Sequence, residues 1–111
     1  MKRGDVVISS APGNYGKPRP ALVVQSDLFN PTHASIVICP ITTHLVDAPL
    51  FRLPLKPSGA NGLRAESQIM VDKVMAVKRV SMGKRIGTIT PEEMARVDLA
   101  LRTWLELEPG S

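Results

Sequence analysis

Apolar residues in this chain come in short runs broken by proline and glycine, and only the last quarter shifts to a helical period. Val6-Val7-Ile8 opens the first run, and Leu22 to Gln25 makes a second. Ser26-Asp27-Leu28-Phe29-Asn30-Pro31 reads as a helical turn stopped by proline. Ser35 to Thr42 is a continuous apolar run, as in a strand buried on both faces or lining a barrel. Leu50 to Leu55 alternates weakly, and Pro54 marks it as an edge strand or a strand end. Lys56 to Gly62 is a turn cluster. Ser67 to Val77 returns to strand character, and Arg85 to Ile89 makes a last short strand.

The final segment differs in kind. Thr90-Pro91-Glu92-Glu93 combines an N-cap threonine, a proline at the first helical position and a glutamate placed to complete a capping box. Met94, Val97, Leu101 and Trp104 or Leu105 then recur at helical spacing, which assigns Trp104 to the core, and Pro109-Gly110 ends the helix. The pattern predicts five to seven short strands and one carboxy-terminal helix: a mainly β fold built on a small, strongly bent antiparallel sheet or barrel. No internal repeat or boundary divides it, so residues 1–111 are expected to form one domain.

Composition narrows the picture. Hydrophobic residues are 43% of the chain but aromatics only 4%, so the core must be Val, Ile, Leu and Met. No apolar run approaches the roughly 20 residues that span a bilayer, and the amino terminus has basic residues without a hydrophobic region of signal-peptide length. A cytoplasmic protein is expected. The single cysteine, Cys39, lies in an apolar run and reads as a buried small hydrophobe. The net charge of +4 is unevenly spread. Residues 92–108 carry −3 and the first 91 residues carry +7, a balance suited to a polyanionic ligand.

The densest chemical signal is Gly13-Asn14-Tyr15-Gly16-Lys17-Pro18-Arg19-Pro20, followed at once by a strand. Two prolines restrict the backbone around Arg19, whose planar fork of donors suits phosphate. A loop salt bridge or simple solvation is the alternative. Metals find no recognisable ligand spacing among one cysteine and two histidines, and no cofactor is expected. His33 reads as solvated, whereas His44 follows the Thr42-Thr43 pair and could line the same site. That hydroxyl pair could bind phosphate or cap its own turn. Arg64 and Glu66 could form a same-face ion pair at a sheet edge, or a base beside cations. Spacing does not choose between them.

Gly4-Asp5-Val6-Val7, the stretch from Gly16 through Arg19-Pro20 to Val24, Pro40-Ile41-Thr42-Thr43, and the strand from Glu66 to Asp72-Lys73 together resemble the MazF/PemK family. These toxins, which include Kid within a CcdB-like superfamily, are the ribonuclease halves of bacterial toxin–antitoxin pairs. The resemblance implies an SH3-like, strongly bent antiparallel barrel, a homodimer, and sequence-specific, metal-independent cleavage of single-stranded mRNA that inhibits translation and growth. It places Arg19 and Thr42 at the centre of catalysis with Thr43 beside them, and puts Glu66 on the family's acid. Ser67 then stands where the family has glutamine, unless the register slips by one and Gln68 takes that place.

With the ribose 2′-OH as internal nucleophile, such an enzyme positions RNA, shifts protons and stabilises a phosphorane. On this reading Glu66 is the base, with His44 and Arg19 as further candidates for base and acid. Asn14, Tyr15, Lys17, Thr43, His44, Arg64 and Gln68 are the expected substrate contacts, Tyr15 by stacking on an unpaired base. The implied regulator is an acidic MazE-like antitoxin that covers the basic body, helped by glycine-rich flexibility at Gly13–Gly16 and Gly59–Gly62; the complex would bind operator DNA through the antitoxin. Two other classes remain open. One is a CcdB-like gyrase poison, which needs a free tryptophan-bearing tail; the other is a non-catalytic SH3-like nucleic-acid-binding module.

Overall fold

The computed structural model describes residues 1–10 and 17–107. Seven strands and one helix follow in the order β1 (Asp5–Ser9), β2 (Arg19–Val23), β3 (Ser35–Thr42), β4 (Arg52–Leu55), β5 (Ser67–Met70), β6 (Met75–Lys78), β7 (Met82–Thr88) and α1 (Pro91–Leu105). All strand pairs are antiparallel, in the path β4-β5-β3-β2-β1-β7, with β6 also on β3. No ladder joins β4 to β7 among the described residues, so the strongly bent architecture is an open sheet and not a closed barrel. Two register shifts along the β1–β7 pair add to the bend.

The run from Ser67 to Val77 is two strands. β6 pairs with Ser35–Ile38 of β3 and β5 with Ile41–Thr42, while a single 3-10 turn at Val71–Lys73 bulges out between them. Pro40, which has no N–H to give the ladder, sits in the gap. The turn is held from both sides: Val71 is fully buried, and Asp72 accepts two bonds from Arg52 of β4, Nε at 2.7 Å and Nη2 at 3.0 Å. That bidentate bond is the main reason the Asp72 carboxyl titrates below its ordinary value.

Both faces of the central strands are buried. Val6, Leu22, Cys39, Ile41, Leu55, Ile69 and Val71 form the larger cluster with Val97 and Ala100 of α1. Val7, Ala21, Val23, Ile36, Ile38 and Val77 form a smaller one on the other face, flanked by Met75 and Met82. The helix begins as the sequence predicts, with Thr90 and Glu93 exchanging capping bonds of 3.1 and 2.8 Å. Arg3 ties it to the sheet by donating to Val24 O at 2.8 Å and to Asp98 at 2.6 Å. Trp104 keeps its register and lies 5.3 Å from Phe51, yet stays 47% exposed. The core stripe of α1 ends at Ala100 and Leu101, one turn earlier. The helix stops at Leu105, with Glu106 in a left-handed conformation (φ 55°).

The turn cluster is a tightly bonded loop. Asn61, buried, donates to Lys56 O and accepts from the backbone N–H groups of Ser58 and Leu63. Flexibility is expected at Gly59–Gly62, but Gly62 serves a different purpose. Gly62 has φ of +72°, and a Cβ there would lie 2.1 Å from Ile86 O; one on Gly87 would lie 2.3 Å from Ala60 O. Thr88 N–H donates to Ala60 O at 2.9 Å across this contact, so the β4–β5 loop covers the gap the strands leave.

Two stability measurements check these contacts. Gly62→Ala should cost about 3 kcal/mol or more in chemical denaturation, whereas Gly59→Ala, with nothing within 4 Å of its Cβ position, should stay within about 0.5 kcal/mol. Asp72→Asn should cost about 2 kcal/mol at neutral pH by leaving the Arg52 guanidinium poorly paired. Because the folded carboxyl titrates below its unfolded value, the pair's contribution is complete above that value and is lost as the pH falls through the folded one. The gap between wild type and Asp72→Asn should therefore narrow below about pH 4.

Candidate nucleic-acid site

Antiparallel pairing sets the site before any side chain is considered. Ala21 pairs with Pro40 and Leu22 with Cys39; extending that register by two residues brings Arg19, the first residue of β2, level with Thr42, the last of β3. Thr42 pairs in turn with Gln68 of β5, and Arg19 with Ser9 of β1. Residues level with one another across an antiparallel sheet share a face. Ser9, Arg19, Thr42 and Gln68 thus form one row on the face of the smaller cluster, opposite α1.

At this end of the sheet β1, β3 and β4 finish and β2 and β5 begin. The loops leaving it carry Lys17, Lys56 and Arg64, which are exposed with Arg19, and none of the four forms an ion pair among the described residues. The cations of the three ion pairs that do form are Arg3, Arg52 and Arg85. Four unneutralised cations on one rim make a field suited to a phosphodiester chain.

The Thr42 hydroxyl accepts a 3.0 Å bond from the His44 backbone N–H, so it does cap its own turn. Its own hydrogen has no partner among the described residues and is available to an incoming oxygen. The cap and the phosphate contact, alternatives in the sequence, are compatible. Thr43 and His44 are exposed in the bend beyond. Arg64 and Glu66 lie exposed before β5 begins, in irregular backbone, and form no ion pair with each other. Glu66 stands two residues before Gln68, at the same end as Thr42. Asn14 and Tyr15 lie outside the described residues.

Gln68 departs from expectation. Its Oε1 accepts from Val46 N–H at 3.1 Å and its Nε2 donates to Val46 O at 2.8 Å, so its amide is engaged with the protein instead of standing free for substrate. No signal in the sequence linked these two positions, which are 22 residues apart.

Other chemistry lies elsewhere. Cys39 is fully buried, and burial is the main cause that pushes its thiol up to about 12, with the Asp72 charge adding to it. His33 is exposed at the opposite end of the sheet, its Nδ1 beside Ser35. Among the described residues no three His, Cys, Asp or Glu side chains gather to hold a metal ion. Among the described residues no helix is long and apolar enough to cross a membrane.

Residues 2–105 match the model of the PemK-like, MazF-like toxins of type II toxin–antitoxin systems. The chain belongs to this family. A relative in Mycolicibacterium smegmatis described as a probable endoribonuclease MazF is 44% identical over 106 residues, covering 95% of this chain and 96% of its own. Among solved structures, the Mycobacterium tuberculosis toxin MazF-mt6 superposes with a TM-score of 0.81 at 20% identity, over 94% of this chain and 98% of its own. A mycobacterial endoribonuclease solved with its cognate antitoxin gives 0.81 at 24% identity, over 99% of both chains. The bent sheet with its terminal helix is the fold of these MazF-type toxins.

Proposed function

We propose that the protein is an endoribonuclease toxin that cleaves single-stranded mRNA and is neutralised by a cognate antitoxin. Its membership of the MazF/PemK family supports the activity. The observation that carries the site is the register bringing Arg19 level with Thr42 on a rim of unpaired cations. In the proposed reaction the 2′-OH proton passes to the Glu66 carboxylate as the 2′-oxygen attacks the adjacent phosphorus. Arg19 donates to the non-bridging oxygens of the phosphorane and Thr42 supplies one further donor. The 5′-oxygen then leaves with a proton from Arg19 or His44, giving a 2′,3′-cyclic phosphate and a 5′-hydroxyl. No metal takes part in this scheme. Lys17, Lys56 and Arg64 hold flanking phosphates, and Thr43 and Arg64 are proposed to contact the substrate beside Asn14 and Tyr15.

A cytoplasmic homodimer of single-domain chains is part of the same reading. The exposed Leu99, Trp104 and Leu105 of α1 support a second copy as cover. The antitoxin, which the relatives solved in complex make the natural partner, would present acidic groups to the cationic rim and compete with RNA. A gyrase-poison reading is not favoured, because Trp104 lies on α1 against Phe51 and not on a free tail.

Cleavage of a mixed-sequence RNA in EDTA is the test. Wild type should cut with EDTA present. Arg19→Ala should lower kcat/KM about 100- to 1,000-fold while remaining folded by circular dichroism. Thr42→Val should lose about tenfold, and Thr42→Ser, which keeps the hydroxyl, should stay within a few-fold of wild type. RNA left intact but bound by wild type would make the protein a binding module. Near-normal cleavage by folded Arg19→Ala would remove Arg19 from the mechanism.

A further inference from the structure

The segment 43–47 carries Thr43 and His44 along the rim, yet its residues are exposed. Among the described residues its backbone is tied by three hydrogen bonds: His44 N–H to the Thr42 hydroxyl, and the reciprocal pair between Val46 and the Gln68 amide. Thr42 and Gln68 are partners in the β3–β5 ladder. One rung of the sheet therefore holds the whole loop through its two side chains. The Gln68 amide offers an acceptor and a donor to one residue, as a neighbouring strand's backbone would.

We propose that Gln68 is a positioning residue of the RNA site, and that it sets substrate preference by fixing the 43–47 loop. The role rests on the ribonuclease reading above; the tie itself does not. Gln68 sits in the row of Arg19 and Thr42, but with its amide engaged it acts on RNA through the loop, by presenting Thr43, His44 and the exposed Leu45 to the nucleotide beside the scissile phosphate. Freeing the loop would leave Arg19 in place and loosen the hold on that nucleotide. The loss should therefore appear in KM and in the sequence cleaved, more than in kcat.

The tie is tested on the full chain without RNA, by amide hydrogen exchange. Val46 N–H should be protected in wild type. In Gln68→Ala its protection should fall to that of Leu45, whose amide has no partner among the described residues. The carboxylate of Gln68→Glu can still accept from Val46 N–H but cannot donate to Val46 O, so there Val46 protection should stay above that of Gln68→Ala. With RNA, Gln68→Ala should raise KM about tenfold, hold kcat within about threefold, and relax the base preference next to the cut. Unchanged Val46 protection in Gln68→Ala would overturn the tie. Lost protection with unchanged KM and unchanged cleavage sequence would overturn the role in RNA selection. If wild type cuts no RNA, the ribonuclease reading fails, and the exchange measurement still decides the tie.

Discussion

Everything in this fold depends on two backbones lying closer together than a side chain allows. Gly62 of the β4–β5 loop and Gly87 of β7 meet so that the loop rests directly on the strand. Among the described residues no ladder joins β4 to β7, and the sheet stays open there. The loop covers that gap with one cross-link and two missing Cβ atoms. Leu55 and Leu63, on either side of the loop, are thereby driven into the main cluster beneath α1. The same closure fixes where Lys56 and Arg64 emerge, so a packing constraint on one face places charge at the end of the sheet where β2 and β5 begin.

β3 is the second organising element, buried on both faces and paired on both sides. Its ladders are extended at each end by a glutamine. At the start, Gln25 donates to Ser35 O and accepts from Val37 N–H. At the end, Gln68 bonds both backbone groups of Val46 in the loop that β3 runs into. Each side-chain amide meets backbone needs that a strand would otherwise meet, which lets β3 border irregular segments without orphaned polar groups. The proposed RNA site sits where one of these substitutions occurs.

Much of this was visible in the pattern of residues. The strand at Ser35–Thr42, the capping box at Thr90–Glu93 and the placement of Pro54 in a short outer strand all rest on local rules that tertiary context left alone. Arg19 and Thr42 could be named singly from their turn and strand contexts and from family resemblance; their alignment follows from register, which a sequence does not state. The break at Val71–Lys73 was hidden because the residue that faces the gap, Pro40, lies on another strand. Gln68 read as a substrate contact because a one-residue slip in register puts it where the family has glutamine; the backbone it bonds, Val46, carries no side-chain signature. Gly62 read as flexible because a left-handed residue pressed on a distant strand looks, in sequence, like an ordinary turn.

Cys39 illustrates what burial on both faces of a strand entails. It sits opposite Leu22 in the middle of β3, sealed by the main cluster and held in its protonated form. Thiolate is the species that oxidants, electrophiles and soft metals attack, and burial strongly disfavours it while the sheet is intact. The chain's single thiol is thus silent in the native molecule and becomes reactive only when β3 is exposed. Redox conditions in the surroundings therefore have no purchase on the folded protein through this residue.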